Sequence, residues 1–161
     1  MKPQVYLETT IPSYLAARPS KNVMVLAKQM STREWWDTRR HDFELFVSGY
    51  VLEECGRGDS VAAADRLNLL QDVNLLEPIP ELDDLIDELV DFVPFPPDAE
   101  SDAAHLASAV AGGMNYLLTW NCTHLANAVL FDRFATVCRD FGFEPPVICT
   151  PEQLMKEFDR G

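Results

Sequence analysis

Short apolar runs alternate with longer amphipathic segments along almost the whole sequence, and this alternation limits the fold more than any other feature. The short runs have the length and period of β-strands, and the longer segments have the spacing of α-helices. Strands that alternate with helices favour a parallel sheet covered by helices on both faces. The sequence therefore predicts an α/β fold, with residues 1–161 forming a single domain of common size.

The predicted elements follow one another with clear boundaries. Strands are expected in the opening run around Val5 and Leu7 and in the segments FELFVSGY, VNLLEPIP, NYLLTW and PPVICT. Helices are expected over about residues 22–40, in VLEEC, over residues 60–72 and 81–93, in DAESDAAHLASAVAGG, over residues 124–141 and in PEQLMKEF. Thr10 is expected to cap a further short helix after the first strand, and Asp98 or Ser101 to cap the helix of DAESDAAHLASAVAGG.

Four polar side chains lie at the ends of these predicted elements, far apart in the sequence. Glu8, Glu53 or Glu54, and Asn121 follow strands, and Asp102 lies in the first turn of a helix. In open parallel sheets the ligand crevice lies beyond the carboxyl ends of the strands. Carboxylates gathered there would repel one another, whereas Mg²⁺ or Mn²⁺ favours hard oxygen ligands and keeps them ionised. The spacing indicates a carboxylate-rich metal site. Metal-assisted attack on a phosphodiester is the natural chemistry of such a site, but the spacing alone does not identify it.

Charge is distributed unevenly along the chain, whose net charge is −13. Residues 1–42 hold seven Lys and Arg against four Asp and Glu, and residues 43–161 hold six against 22. The basic segment, with Trp35 and Trp36, forms either a phosphate-contacting rim with stacking aromatics or a solvated helix face with core tryptophans. The overall acidity makes a basic protein partner at least as plausible as RNA held by surface charge.

Cysteine usage and hydropathy bear on the compartment. The four cysteines form no C-x-x-C pair, so neither a zinc cluster nor a disulfide framework is indicated. The N-terminus lacks the apolar stretch of a signal peptide, and we find no run of about 18 apolar residues that would span a membrane. We expect a cytoplasmic protein without a membrane segment.

Three motifs in order resemble those of the PIN-domain ribonucleases, particularly the VapC toxins of bacterial and archaeal toxin–antitoxin modules. YLETTIPSYL is similar to the family's D-T-T opening, SGYVLEEC to S-x-x-V-x-x-E, and SDAAHLASAVAGGMNYLLTWN to D-A-x-x-x-A…G…L-x-T-x-[DN]. This resemblance covers nearly the whole chain. It implies a three-layer α/β/α sandwich around a parallel sheet of four or five strands. It also implies Mg²⁺- or Mn²⁺-dependent endonucleolytic cleavage of RNA, a homodimer and a cognate antitoxin.

The resemblance assigns catalytic and metal-binding roles to Glu8, Glu54, Asp102 and Asn121. Glu8 stands where Asp is usual, which moves its carboxylate by roughly 1.5 Å, the length of one C–C bond. Asn121 stands where Asp is frequent, so an oxygen ligand is kept but one negative charge is lost. Glu53 and Glu54 point about 100° apart on a helix, and the family register favours Glu54.

Two functions from different classes stay open at this point. The first is a metal-dependent endoribonuclease. The second is a PIN-like scaffold that binds nucleic acid or protein because its two substitutions have weakened metal binding. A metal-dependent phosphatase acting on small molecules is a third interpretation. His105 and His124 are interpreted as packed, hydrogen-bonded side chains, and Trp120 as either a base-stacking residue or part of the core.

Overall fold

The computed structural model describes residues 1–155, which contain five strands and seven α-helices. The strands are β1 (Gln4–Leu7), β2 (Glu44–Val47), β3 (Asn74–Leu75), β4 (Tyr116–Leu118) and β5 (Val147–Cys149). The helices are α1 (Thr10–Ala16), α2 (Val23–Arg39), α3 (Gly49–Cys55), α4 (Ser60–Leu69), α5 (Leu82–Phe92), α6 (Glu100–Ala111) and α7 (Ala128–Asp140). A short 3-10 helix, Arg40–Asp42, joins α2 to β2.

The strands form one parallel sheet in the order β3-β2-β1-β4-β5. The central strand β1 pairs with β2 on one side and with β4 on the other, so that Val5 lies opposite Leu45 and Tyr116. Helix α1 packs with α2 and α4, whereas α5 packs with α6 and α7. The predicted α/β/α architecture with a parallel sheet is confirmed.

Apolar spacing explains how the helices attach to the sheet. In α5, the buried side chains Leu82, Leu85, Ile86 and Leu89 recur at helical intervals, and acidic residues occupy the opposite face. Burial of one such leucine stabilises the fold by about 1.5–3 kcal/mol. The acidic segment 81–93 is therefore a core-packing helix with a charged outer face.

Helix α2 carries most of the basic segment, and its tryptophans lie in the core. Trp35 is fully buried and Trp36 nearly so. The guanidinium of Arg40 stacks over the Trp36 ring at 4.9 Å from its centroid. This burial favours a solvated helix face with core tryptophans, because neither ring is free to stack on a base. No helix within residues 1–155 is long and apolar enough to cross a membrane.

Two predicted helix starts differ from the structure. Helix α7 begins at Ala128 and not at residue 124, because the Asn127 side chain accepts a hydrogen bond from the Val129 amide and caps the helix there. Helix α6 begins at Glu100 without a side-chain cap, so the predicted capping by Asp98 or Ser101 is wrong. Local patterns place helices more reliably than they place helix ends.

Two further helix starts differ in their capping. Asp59 caps α4 by accepting a hydrogen bond from the Ala62 amide. Thr10 is the first residue of α1 and makes no cap, because its hydroxyl donates to Glu8 instead. In the predicted C-terminal helix PEQLMKEF, residues 151–154 form turns, and its last three residues lie outside the described part of the chain.

Gly113, which follows α6, adopts a left-handed conformation with φ of 71°. A Cβ at this position would meet no atom within 4 Å, so only backbone strain opposes a side chain. We expect Gly113→Ala to lower the free energy of unfolding in urea by about 1–2 kcal/mol. The control is Gly49→Ala, whose Cβ also has open space but whose backbone is helical. Equal losses in the two variants would contradict the strain explanation.

Candidate active site

The four predicted site residues lie on elements that meet at the carboxyl edge of the sheet. Glu8 directly follows β1, and its amide donates to the carbonyl of Leu118 at the end of β4 (3.1 Å). Glu54 lies in the last turn of α3, Asp102 in the first turn of α6, and Asn121 after β4. The fold thereby gathers residues that are up to 113 positions apart in the sequence, the separation of Glu8 from Asn121.

The Glu8 carboxylate is 5% exposed and is held by threonines. Its Oε1 accepts from the hydroxyls of Thr10 (2.6 Å) and Thr119 (2.7 Å), and both of its oxygens lie 3.2 Å from the Thr10 amide. The Glu8 side chain, which is longer than that of the usual Asp, thus turns back toward the start of α1. Three donors compensate this buried charge for the water that it has lost.

Glu54 and Glu53 point in different directions, as their helical spacing predicts. The exposed Glu53 pairs with Arg57 at 2.6 Å. Glu54 is half-buried, and its Oε1 lies 2.7 Å from Nε2 of His105. Burial alone would raise the pKa of Glu54, but the hydrogen bond from His105, with smaller contributions from Thr9 and Arg57, lowers it. The Glu54 carboxylate therefore stays ionised although burial opposes its charge.

Asp102 contacts two residues of the loop that follows β4. Its Oδ1 accepts from Nδ2 of Asn121 (3.0 Å), and its Oδ2 lies 2.8 Å from Nδ1 of His124. Oδ1 of Asn121 accepts from the His124 amide at 2.9 Å. The predicted fourth ligand therefore uses both of its amide atoms within the protein, and its oxygen faces the backbone.

A hydroxyl joins the Glu8 and Asp102 groups into one hydrogen-bonded network. The Thr119 hydroxyl donates to Glu8 and accepts from the Asn121 amide at 2.9 Å, while Asn121 donates to Asp102. The Thr10 hydroxyl similarly accepts from the Trp120 amide at 2.9 Å. Glu54 and Glu8 lie near the same buried side chain, since burial first, and then the charges of both carboxylates, raise the pKa of Tyr6.

The side chains fit a hard divalent cation in ligand type, although they form no preassembled cage. Within residues 1–155, no group of three or more His, Cys, Asp or Glu side chains is arranged to hold a metal ion. Mg²⁺ commonly binds through one or two carboxylates, keeps several waters and contacts substrate phosphates. The hydroxyl of Thr9 is buried without a hydrogen-bond partner in the described residues, close enough to Glu54 to affect its pKa. A bound water or ion would satisfy this orphaned group.

Two histidines that sequence reasoning interpreted as packed, hydrogen-bonded side chains contact the predicted site residues. His124 contacts Asp102, and His105 contacts Glu54. The position of His105 on the same helix face as Asp102, three residues later, was the available signal for one of them. His124 offered no comparable signal, because its contact depends on the turn that Asn121 makes. Trp120 is buried and donates from Nε1 to the Thr32 hydroxyl (2.7 Å), which favours the core interpretation.

The lowered pKa of Glu54 predicts a specific loss of stability in acid. Because the folded-state pKa lies below its usual value of 4.5, the ionised side chain stabilises the protein above pH 4.5. This contribution is lost as the pH falls from 4.5 through the lowered folded-state pKa. We expect urea unfolding of Glu54→Gln to depend less steeply on pH in this range than that of wild type. Glu53→Gln is the matched control, and equal flattening in both variants would contradict the prediction.

Comparison with solved structures shows that the fold is the PIN-like one. The crystal structure of Mycobacterium tuberculosis VapC20, described as a sarcin–ricin loop cleaving toxin, matches at a TM-score of 0.58 and 15% identity, covering 74% of this chain and 92% of that chain. The structure of VapBC2 from Rickettsia felis, bound to a DNA fragment from their promoter, matches at a TM-score of 0.57 and 12% identity, covering 91% of this chain and 98% of that chain. No protein-family model and no curated protein sequence matches this chain.

Proposed function

We propose that this protein is a Mg²⁺- or Mn²⁺-dependent endoribonuclease that hydrolyses RNA phosphodiesters at the Glu8, Glu54, Asp102 and Asn121 site. The observation that carries the proposal is the hydrogen-bonded network that links Glu8 through Thr119 and Asn121 to Asp102 at the carboxyl edge of the sheet. This edge is where open parallel sheets bind their ligands. The shared fold with the toxin VapC20 supports a nuclease over other hydrolases.

The proposed metal ligands are the three carboxylates, with Asn121 in a weaker role. Glu54 is the best placed, because within the described residues only its Oε1 takes part in a hydrogen bond, which leaves Oε2 available. The Asn121 oxygen already accepts from the His124 amide, so only its second lone pair is left for a metal ion. When bound, the cation would supply Lewis-acid polarisation of the phosphodiester and of a water molecule.

The chain's own residues orient the acids in this proposal. The hydroxyls of Thr10 and Thr119 fix the carboxylate plane of Glu8, and His124 with Asn121 fixes that of Asp102. These donors also reduce repulsion between the acids in the metal-free protein. The free hydroxyl of Thr9 is a donor for a water or a phosphate oxygen near Glu54.

A second function, a scaffold that binds nucleic acid or protein, is favoured by one observation. Both oxygens of Asp102 and both amide atoms of Asn121 are already hydrogen-bonded within the protein. A site closed in this way would bind metal weakly. In this alternative the network serves only to stabilise the junction of β1, β4 and α6.

We also propose an antitoxin protein as partner, together with homodimerisation in the cytoplasm. A cleft of about 550 Å³ adjoins Glu54 and is bordered by the acidic residues Glu53, Asp83, Asp87 and Glu100. Charge complementarity favours a basic segment of the partner there.

The free thiols of all four cysteines in the described residues fit a reducing compartment. Co-purification with the product of a neighbouring reading frame, and light scattering of the pure protein, test these partners.

Metal titration and RNA cleavage test the proposed function directly. We expect Mn²⁺ to raise the thermal unfolding temperature, because a ligand of the native state must stabilise it. We also expect nuclease-free preparations to cleave RNA only when Mg²⁺ or Mn²⁺ is present. Absence of calorimetric heat and of stabilisation at millimolar metal would instead support the scaffold. Hydrolysis of a phosphomonoester without RNA cleavage would support a phosphatase.

A further inference from the structure

A buried chain of hydrogen bonds ends on Glu54. The hydroxyls of Ser48 and Tyr6 are 2.7 Å apart, the Tyr6 hydroxyl lies 2.8 Å from Nδ1 of His105, and Nε2 of His105 lies 2.7 Å from Oε1 of Glu54. Tyr6 is 0%, His105 1% and Ser48 4% exposed. Solvent therefore has no access to the inner bonds of this chain.

This row of hydrogen bonds connects α3 with β1 and α6. Ser48 is the N-cap residue of α3 and Glu54 lies in its last turn, while Tyr6 belongs to β1 and His105 to α6. The Tyr6 and His105 rings also meet edge to face, with centroids 6.0 Å apart. The two ends of α3 are thus bridged through the central strand and the helix that carries Asp102, so the Glu54 carboxylate is fixed relative to both.

Chemistry gives the chain a direction. Ionised Glu54 can only accept, so Nε2 of His105 must carry the proton that it donates. In a neutral ring Nδ1 is then an acceptor, and the Tyr6 hydroxyl must donate to it. Ser48 completes the chain by donating to the Tyr6 oxygen. Every donor points toward the carboxylate.

We infer that His105 is a positioning residue of the site: its Nε2–H holds Oε1 of Glu54 and leaves Oε2 for a divalent cation, and the Tyr6 hydroxyl selects the tautomer that permits this. The inference rests on the proposed function. It also separates Glu54 from the other acids, since Glu8 is held by threonine hydroxyls and Asp102 by the loop after β4. A histidine that only filled space in the core would not need Nε2–H.

Mn²⁺ affinity measured by calorimetry on the full chain tests the inference. Loss of a group that orients a metal ligand typically lowers affinity about 10–100-fold, and we expect this loss in His105→Leu. His105→Gln, whose amide can donate to Glu54, should recover most of the affinity. Tyr6→Phe should show an intermediate loss of Mn²⁺ affinity. The control, Tyr116→Phe, removes a hydroxyl from a half-buried ring of β4 that does not belong to this row of hydrogen bonds, and it should bind Mn²⁺ like wild type.

A double-mutant cycle separates positioning from general support of the fold. If His105 acts through Glu54, His105→Leu should weaken Mn²⁺ binding in the wild-type background and have little further effect in Glu54→Gln. The same loss in both backgrounds would overturn the positioning role while leaving the proposed function intact. Failure of the wild-type protein to bind Mn²⁺ would overturn the proposed function and, with it, this role of His105.

Nitrogen-15 NMR of the metal-free protein provides a readout that needs neither metal nor RNA. We expect His105 to show a protonated Nε2 and an unprotonated Nδ1, and Tyr6→Phe to shift the Nδ1 signal because its donor is gone. A ring protonated at Nδ1 and not at Nε2 would overturn the inference even if the protein cleaves RNA. This measurement stays informative if His105→Leu fails to fold.

Discussion

Asp102→Asn is expected to cleave RNA about 10²–10³-fold more slowly than wild type, because a bound cation contributes several kcal/mol of transition-state stabilisation and each 1.36 kcal/mol is tenfold in rate. The substitution keeps the shape of the side chain but removes its charge and one acceptor oxygen. The remaining oxygen can still accept from Asn121, whereas the charge-assisted bond between Oδ2 and His124 is lost. Cleavage of a labelled RNA at saturating Mn²⁺ measures the change.

The same variant is expected to remain folded. Loss of one hydrogen bond and of a favourable charge in the first turn of α6 should lower the free energy of unfolding by about 1–2 kcal/mol, a minority of typical domain stability. Asp132→Asn, which removes the same charge from an exposed position on α7, is the control and should cleave RNA normally. Full activity of Asp102→Asn in a nuclease-free preparation would rule out the proposed site.

Trp35→Ala is expected to lower the free energy of unfolding by about 3–5 kcal/mol, the usual loss for a buried aromatic side chain. Trp35 is fully buried and stacks on Phe43, with ring centroids 5.8 Å apart. Its Nε1 donates to the Leu154 carbonyl at 3.1 Å, which attaches α2 to the segment after β5. The substitution therefore leaves a cavity and removes the indole donor of this hydrogen bond. Urea unfolding followed by circular dichroism measures the loss.

Two further variants locate the origin of this effect. Trp35→Phe keeps an aromatic ring but removes the indole donor, so its loss should be smaller than that of Trp35→Ala. Met24→Ala changes an exposed side chain of the same helix and should stay within about 0.5 kcal/mol of wild type. A stability of Trp35→Ala equal to that of Met24→Ala would show that α2 packs differently from the structure described here.

Much of the fold was predictable because its main signals are local. Alternation of strands and helices predicted the parallel sheet, and the positions of Glu8 and Asn121 after their strands predicted that both lie at its carboxyl edge. Helix ends were less predictable, since α6 has no side-chain cap and α7 begins only after its cap, Asn127. These boundaries depend on competing hydrogen bonds of the loop residues, which a periodic pattern does not contain.

The sequence predicted that Glu8, Asp102 and Asn121 lie close together but not how they are bonded. Sequence reasoning interpreted the Asn121 oxygen as a ligand, whereas in the structure that oxygen accepts from the backbone and the amide nitrogen turns to Asp102. The extra methylene of Glu8 was expected to move its carboxylate, and the structure adds that this carboxylate accepts hydrogen bonds from two threonine hydroxyls. Such choices depend on which donors the fold brings within about 3 Å.

The sequence by itself determined the α/β order of elements and the set of acids, because hydrophobic periodicity and residue type are properties of short segments. Only the tertiary structure decided which oxygen of each acid accepts a hydrogen bond and which side chain makes that bond. Tyr6 and His105 are 99 positions apart, and Thr119 and Glu8 are 111 apart. Hydrogen bonds over such separations form only after the sheet has set the distance between strands, so no local pattern specifies them.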